Sequence, residues 1–131
     1  MIQYGRILFL FAASLITFAF SKAEPKLEKG IASFYAKKFD GRRTTSGEIF
    51  RNDSLTCAHK TLKFGTVLKI TNLSNDSIVL VRVNDRLPKS SKRIVDLSQS
   101  AALQLNFIRK GLTKVTMEVI EPIVVSVLLE K

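Results

Sequence analysis

The strongest constraint on the fold is a pair of short alternating segments joined by five turn-forming residues. In residues 67–71 (VLKIT) and 77–83 (SIVLVRV), side chains two positions apart form two alternating sets, one for each face of a strand. Alternation with a period of two is typical of β-strands that bury one face. Residues 72–76 (NLSND) lie between them and favour a turn through their Asn and Asp side chains. The sequence therefore predicts a β-hairpin in the middle of the chain.

Further short segments of this kind occur on both sides of the hairpin. Strands are predicted at residues 30–35, 94–95 and 114–120, and a short helix at residues 98–105. Several short strands with one small helix favour a closed barrel, in which every strand edge is paired. The expected fold class is therefore mainly β.

The two ends of this region are less regular. Residues 37–53 are polar and predict an ordered loop. Pro122 is expected to end the last strand. Residues 122–131 are then expected to form a short C-terminal tail, and the apolar residues 123–129 within it are compatible with one more strand.

The N-terminus contains an apolar run of residues 7–20, and Arg6 is the only charge before it. A run of 14 residues fits a secretory signal better than a spanning helix, which needs roughly 20. Ser21 and Ala23 supply small residues at positions −3 and −1 of a cleavage site before Glu24. We expect residues 1–23 to be a cleaved signal peptide, residues 24–29 a linker and residues 30–121 the folded domain. An uncleaved membrane anchor is the alternative.

Charge and cysteine content limit the classes of partner. The chain has 21 Lys and Arg against 11 Asp and Glu, a net charge of +10. Loss of residues 1–23 removes two positive charges and no acid, which leaves +8. An exported chain of this charge favours an anionic envelope polymer or surface rather than nucleic acid, although the charge is also compatible with solubility alone. No cysteine follows the apolar run directly, so lipid attachment there is not expected. Cys57 is the only cysteine, so it cannot form an intramolecular disulfide, and no Cys/His metal site is expected.

Four polar residues stand out by their sequence context. Asp85 ends an apolar strand, Glu48 follows a glycine, His59 is the only imidazole, and Asp96 precedes the predicted helix. Each has a structural alternative. Asp85 is able to pair with Arg86 or cap a turn, His59 to be a hydrogen-bonded core residue, and Asp96 to cap the helix.

Taken together and in order, six segments resemble the motifs of the RlpA-like (rare lipoprotein A) family. They are residues 30–35 (GIASFY), 39–48 (FDGRRTTSGE), 55–62 (LTCAHKTL), 67–73 (VLKITNL), 81–88 (VRVNDRLP) and 93–98 (RIVDLS). The resemblance implies a six-stranded double-psi β-barrel with one short helix, as in expansins. It also implies a lytic transglycosylase that cleaves the MurNAc–GlcNAc bond of peptide-stripped peptidoglycan strands in the periplasm or envelope.

The resemblance also implies roles for particular residues. Asp85, Glu48 and His59 are the implied catalytic residues, and Asp96 is the implied structural aspartate. The implied substrate-binding residues are Phe34, Tyr35, Thr45, Asn84 and Arg86. The implied reaction needs no metal and no cofactor, and we expect a monomer whose partner is the glycan strand.

A lytic transglycosylase forms a 1,6-anhydro product without water, so one acid/base carboxyl is enough. Asp85 is the expected acid/base. Arg86 would lower the pKa of Asp85 if the two side chains met, and a nearby Glu48 would raise it. Leu87 replaces a family glycine and is expected to strain or redirect the loop beside Asp85. That departure keeps open a second reading, a non-catalytic expansin-like protein that binds and loosens the wall.

Overall fold

The computed structural model describes residues 13–17 and 26–130, so most of the predicted signal peptide lies outside the described residues. The elements are the strands β1 Leu27–Phe34, β2 Thr56–His59, β3 Val67–Asn72, β4 Ile78–Arg86, β5 Val95–Leu97 and β6 Thr113–Ile120, the helices α1 Gln99–Gln104 and α2 Pro122–Leu129, and a 3-10 turn, Lys37–Phe39. Among these residues no helix is long and apolar enough to cross a membrane.

The six strands close into a barrel in the order β1-β5-β2-β4-β3-β6, and β6 pairs with β1. The β1–β5 and β2–β4 pairs are parallel, and the other four pairs are antiparallel. Closure pairs every strand on both sides, which removes the exposed edges of an open sheet. The predicted mainly-β, six-stranded barrel is confirmed.

The barrel interior is filled by the alternating apolar residues of the strands and by the segment after α1. Leu68 and Ile70 of β3, Val81 and Val83 of β4 and the ring of Phe107 are almost fully buried. Burying one such side chain contributes about 1.5–3 kcal/mol, so these residues supply much of the driving force for closure.

The central hairpin is confirmed, with β3 and β4 paired from Val67↔Arg82 to Thr71↔Ile78. Asp76 takes a φ of 60° in the turn, a conformation that Asp tolerates better than most residues. Strand β4 continues beyond the predicted end at residue 83 as far as Arg86. It does so because β2, which the alternation did not predict, pairs in parallel with residues 82–86 of β4.

Two local predictions were wrong. Ser98 caps α1, since its Oγ accepts a hydrogen bond from the Ala101 N–H at 3.3 Å, and Asp96 is not the cap. The C-terminal tail forms the helix α2 rather than a strand. Pro122 lies in the first turn of α2, where its missing N–H has no partner to lose.

Candidate active site

Three neighbouring strands bring two carboxylates to one side of the barrel. Ala58 of β2 pairs with Asp85 of β4 on one side and with Asp96 of β5 on the other. Asp96 pairs in turn with Ser33 of β1. All four residues line the same groove, which has a volume of about 610 Å³. The small Ala58 side chain leaves the floor between the two acids open.

The Asp85 carboxylate accepts hydrogen bonds from three neutral donors. The Tyr35 hydroxyl donates to Oδ2 at 2.5 Å, and the backbone N–H groups of Thr45 and Arg86 each donate to Oδ1 at 2.9 Å. The Tyr35 ring is held against Phe50, with 4.2 Å between ring centroids. These contacts fix the carboxylate in one orientation at the groove wall.

The same contacts set the protonation of this pair. Burial acts to raise the pKa of Asp85, but the hydrogen bonds from Tyr35, Thr45 and Arg86 outweigh it and hold the pKa below its usual value. Burial, and then the hydrogen bond to Asp85, raise the pKa of Tyr35 far above its usual value. The expected rise in the Asp85 pKa caused by Glu48 is therefore not found.

A second, smaller depression of about 280 Å³ continues past Asp85. Tyr35, Phe39 and Asp85 line both depressions, and Arg42 and Arg43 line only the smaller one. The two spaces together form an open path with Asp85 at their junction. A path of this shape suits an extended polymer with the acid near its middle.

Asp96 has a different environment from Asp85. Arg93 forms a bidentate ion pair with it, with Nε 2.7 Å from Oδ1 and Nη2 3.0 Å from Oδ2. The Ser33 hydroxyl also donates to Oδ1. This ion pair joins β5 to the segment before it and supports the structural role that the resemblance implies for Asp96.

Glu48 lies in the loop above β4 and does not contact Asp85. Its carboxylate accepts from both Nη atoms of Arg82, at 2.7 and 2.9 Å, and from Asn84 Nδ2 at 3.2 Å. The hydrogen bond from Arg82 is the main cause that lowers the pKa of Glu48. Gly47 has a φ of 92°, which agrees with the expected sharp turn before Glu48.

His59 is buried beside the groove but does not line it. Its Nδ1 accepts from the backbone N–H groups of Thr61 and Leu62, at 3.1 and 3.0 Å, and its Nε2 lies 3.6 Å from a Glu28 carboxylate oxygen. Burial is the largest cause that lowers the pKa of His59, and the charges of Arg86 and Lys60 add to it. The pKa therefore lies below its usual value although Glu28 acts to raise it. A neutral imidazole in this position organises the chain after β2.

The residues predicted to bind substrate divide into two groups. Phe34, Tyr35 and Arg86 line the larger groove. The Phe34 ring also packs edge-on against Phe107, and the Arg86 guanidinium lies 4.1 Å from the centre of the Phe64 ring. Thr45 donates to Asp85 through its backbone N–H, and its side chain also hydrogen-bonds Asp85 and lowers the pKa of that carboxyl. Asn84 is buried and binds Glu48.

Leu87 does not strain the chain beside Asp85, so the strain half of that expectation was wrong. No positive φ occurs at Leu87, and the side chain is only 3% exposed where it forms part of the groove wall. Its N–H donates to the His59 carbonyl at 3.3 Å, which extends the pairing of β2 and β4 by one residue.

The sequence analysis did not identify two arginines. Arg82 binds Glu48 of the loop, and Arg93 binds Asp96 in the groove. Arg93 lies three residues before Asp96, a spacing that signals an ion pair only once the local backbone is known. Arg82 is 34 residues from Glu48, and the strand pattern around it gave no signal of their contact. Within the described ranges, no three His, Cys, Asp or Glu side chains are grouped to hold a metal ion.

The fold agrees with the comparisons to known proteins. Residues 27–117 match the family described as "Lytic transglycolase", and the chain belongs to this family. Over 103 residues it is 44% identical to a probable endolytic peptidoglycan transglycosylase RlpA of Treponema pallidum, covering 79% of this chain and 32% of that protein. It is 50% identical over 91 residues to the endolytic peptidoglycan transglycosylase RlpA of Campylobacter jejuni, covering 70% and 33%. The chain thus spans about a third of the length of these curated relatives.

Solved structures share the barrel at lower sequence identity. The Streptomyces papain inhibitor superimposes with a TM-score of 0.61 at 18% identity, covering 73% of this chain and 96% of that one. A Clavibacter michiganensis expansin in complex with cellohexaose gives 0.60 at 17% identity, covering 73% and 51%. Together with the family match, these similarities confirm the double-psi barrel.

Proposed function

We propose that this chain is an endolytic lytic transglycosylase that cleaves the β-1,4 bond between MurNAc and GlcNAc in peptidoglycan strands and leaves a 1,6-anhydro-MurNAc end. The observation that carries the proposal is Asp85, a single carboxylate held by neutral donors at the junction of two groove halves. The curated relatives named as peptidoglycan transglycosylases support the same reaction.

In this mechanism Asp85 acts first as an acid and then as a base. Protonated Asp85 gives its proton to the glycosidic oxygen as the C1–O bond breaks. The resulting carboxylate takes the proton of the C6 hydroxyl, and that oxygen forms the new bond to C1. Atoms and charge balance without water, and Asp85 ends protonated for the next cycle.

The resting state of Asp85 is ionised, so the acid step depends on substrate. A glycan filling the groove excludes water from the carboxylate, and desolvation favours the protonated form. Burial is already the largest single influence that raises the pKa of Asp85. Substrate binding therefore moves Asp85 towards the state that donates.

The side chains around the path suit a carboxylate-bearing glycan. The guanidinium of Arg42 lies 5.2 Å from the centre of the Phe39 ring, and both residues line the smaller depression. Arg86 lines the larger groove, and its guanidinium lies 4.1 Å from the centre of the Phe64 ring. Cations positioned by aromatic rings on both sides of Asp85 attract the lactyl carboxylates that peptide removal exposes on MurNAc. Glu48 and His59 are proposed to support catalysis by holding the chain around Asp85.

The test is incubation of the purified domain with peptide-stripped glycan strands and with intact sacculi. We expect soluble fragments from the stripped strands and binding to sacculi that weakens with salt, because exposed charges are screened. Binding without fragments would replace this proposal with the expansin-like one, for which the ionised resting state of Asp85 is the favouring observation.

We also propose that the protein acts in the periplasm or envelope after cleavage before Glu24. The support is the apolar run of residues 7–20 followed by small residues at the predicted cleavage site. N-terminal sequencing of protein from the envelope fraction is expected to begin at Glu24. Recovery of residues 7–20 in a membrane pellet would show an anchored protein instead.

A further inference from the structure

The loop of residues 42–50, here named the groove loop, is closed by its own backbone hydrogen bonds. Phe50 N–H donates to the Arg42 carbonyl at 2.7 Å, and Thr44 N–H donates to the Glu48 carbonyl at 2.8 Å. A bridge also joins Arg43 and Ile49. These bonds tie the two halves of the loop together.

The groove loop contacts strand β4 at two places. At one, Glu48 accepts from Arg82 and from Asn84. At the other, the Thr45 N–H donates to Asp85 at 2.9 Å. Arg82, Asn84 and Asp85 all lie on β4, so the partners of both contacts belong to one strand.

The ion pair between Glu48 and Arg82 is bidentate although both side chains are exposed to solvent. The Glu48 and Arg82 side chains are about equally exposed, at 44% and 42%. Exposed ion pairs contribute little to the free energy of unfolding, whereas a bidentate arginine–carboxylate pair fixes orientation. The ion pair therefore serves to fix the position of the loop more than to stabilise the barrel.

We propose that Arg82 and Glu48 form a latch that holds the groove loop on β4 and thereby places the Thr45 N–H against Asp85. This proposal rests on the proposed function and refines it. Arg82 becomes a positioning residue, and Glu48 acts through Arg82 rather than on the substrate. Because Arg42 and Arg43 of the same loop line the smaller depression, the latch also shapes that half of the groove.

The decisive measurement is an NMR titration of the Asp85 carboxyl carbon, assigned by its loss in Asp85→Asn. Arg82→Ala and Glu48→Ala should each raise the pKa of Asp85, because the carboxylate loses a donor. The double variant should shift it no further than either single variant, since both break one latch. Exchange of the two charges, Glu48→Arg with Arg82→Glu, should return the titration towards wild type.

Activity provides a second readout for the same variants. Each single variant should lower kcat on stripped glycan about tenfold or more, because misplacement of an acid slows the chemical step. Arg51→Ala is the matched control: Arg51 lies 4.0 Å from Asp40 in another exposed pair beside the same loop. It should change neither the titration nor kcat.

The outcomes separate the two proposals. An Asp85 titration that stays unchanged in Arg82→Ala would overturn the latch, as would additive single-variant shifts. If Arg82→Ala does not fold, Arg82→Lys keeps the charge but loses the bidentate geometry, and it should show a smaller shift in the same direction. If wild type releases no fragments while the titration responds as expected, the proposed function fails and the latch stands.

Discussion

The two aspartates that line the groove differ in what holds them, although Ala58 pairs with both. Three neutral donors hold Asp85, whereas the guanidinium of Arg93 pairs with Asp96. The neutral donors orient the Asp85 carboxylate without placing a counter-charge on it. The bidentate guanidinium instead occupies both oxygens of Asp96 and ties it to the segment before β5. This difference is why we propose Asp85 for the chemistry and Asp96 for a structural role.

Asp85→Asn should have the largest effect. Asn keeps the size of the side chain but cannot act as a carboxylic acid. We expect a fall in fragment release of about 10²–10⁴-fold, the usual contribution of a general acid/base. Retained binding to sacculi and a wild-type circular dichroism spectrum are the controls. Substantial release by a folded variant would remove Asp85 from the chemistry.

Leu87→Ala tests the apolar wall beside Asp85. Leu87 is 3% exposed, so truncation leaves a cavity and should cost about 2–5 kcal/mol of the free energy of unfolding, measured with urea. Leu103→Ala on α1, where the side chain is 66% exposed, is the matched control and should change it by less than about 0.5 kcal/mol. Equal effects would mean that Leu87 is not packed as described.

Asp96→Asn tests the other side of the comparison. The change removes the charge that Arg93 pairs with, and we expect a loss of about 1–3 kcal/mol in the free energy of unfolding. Below its unfolding temperature the variant should still release fragments. A stable Asp96→Asn protein without activity would assign a chemical role to Asp96.

Tyr35→Phe should have a smaller effect, visible in the pH profile. Loss of the hydroxyl removes a donor from ionised Asp85, so its pKa rises. An acid that must be protonated loses activity as the pH rises above its pKa. The high-pH limb of the kcat/KM profile should therefore move to higher pH. Ser33→Ala removes a hydroxyl that donates to Asp96 instead, and that limb should not move.

The sequence predicted the parts of the fold whose side chains alternate. The hairpin of β3 and β4 has a clear period of two and a turn of Asn and Asp, and both were found. Strand β2 was missed because its four residues are all buried, so no polar alternation marks it. The apolar residues of α2 fit a strand as well as a helix, and Pro122 starts the helix rather than only ending β6.

The candidate site was predicted to a similar depth. The motif resemblance pointed to Asp85, and the structure places it in the groove with Tyr35 and Arg86. Contacts between residues that are distant in the sequence could not be predicted from local sequence patterns. Nothing near Glu48 indicates Arg82, and nothing near His59 indicates that its Nδ1 faces backbone N–H groups.

The end groups of the released fragments test the central claim most directly. The claim is that one carboxyl, Asp85, serves as acid and base while the C6 hydroxyl of the same sugar is the acceptor. Mass spectrometry of fragments from peptide-stripped glycan should find 1,6-anhydro-MurNAc ends with wild type and a large loss of them with Asp85→Asn. Reducing MurNAc ends would contradict the account, because water would then be the acceptor and a second carboxylate would be needed.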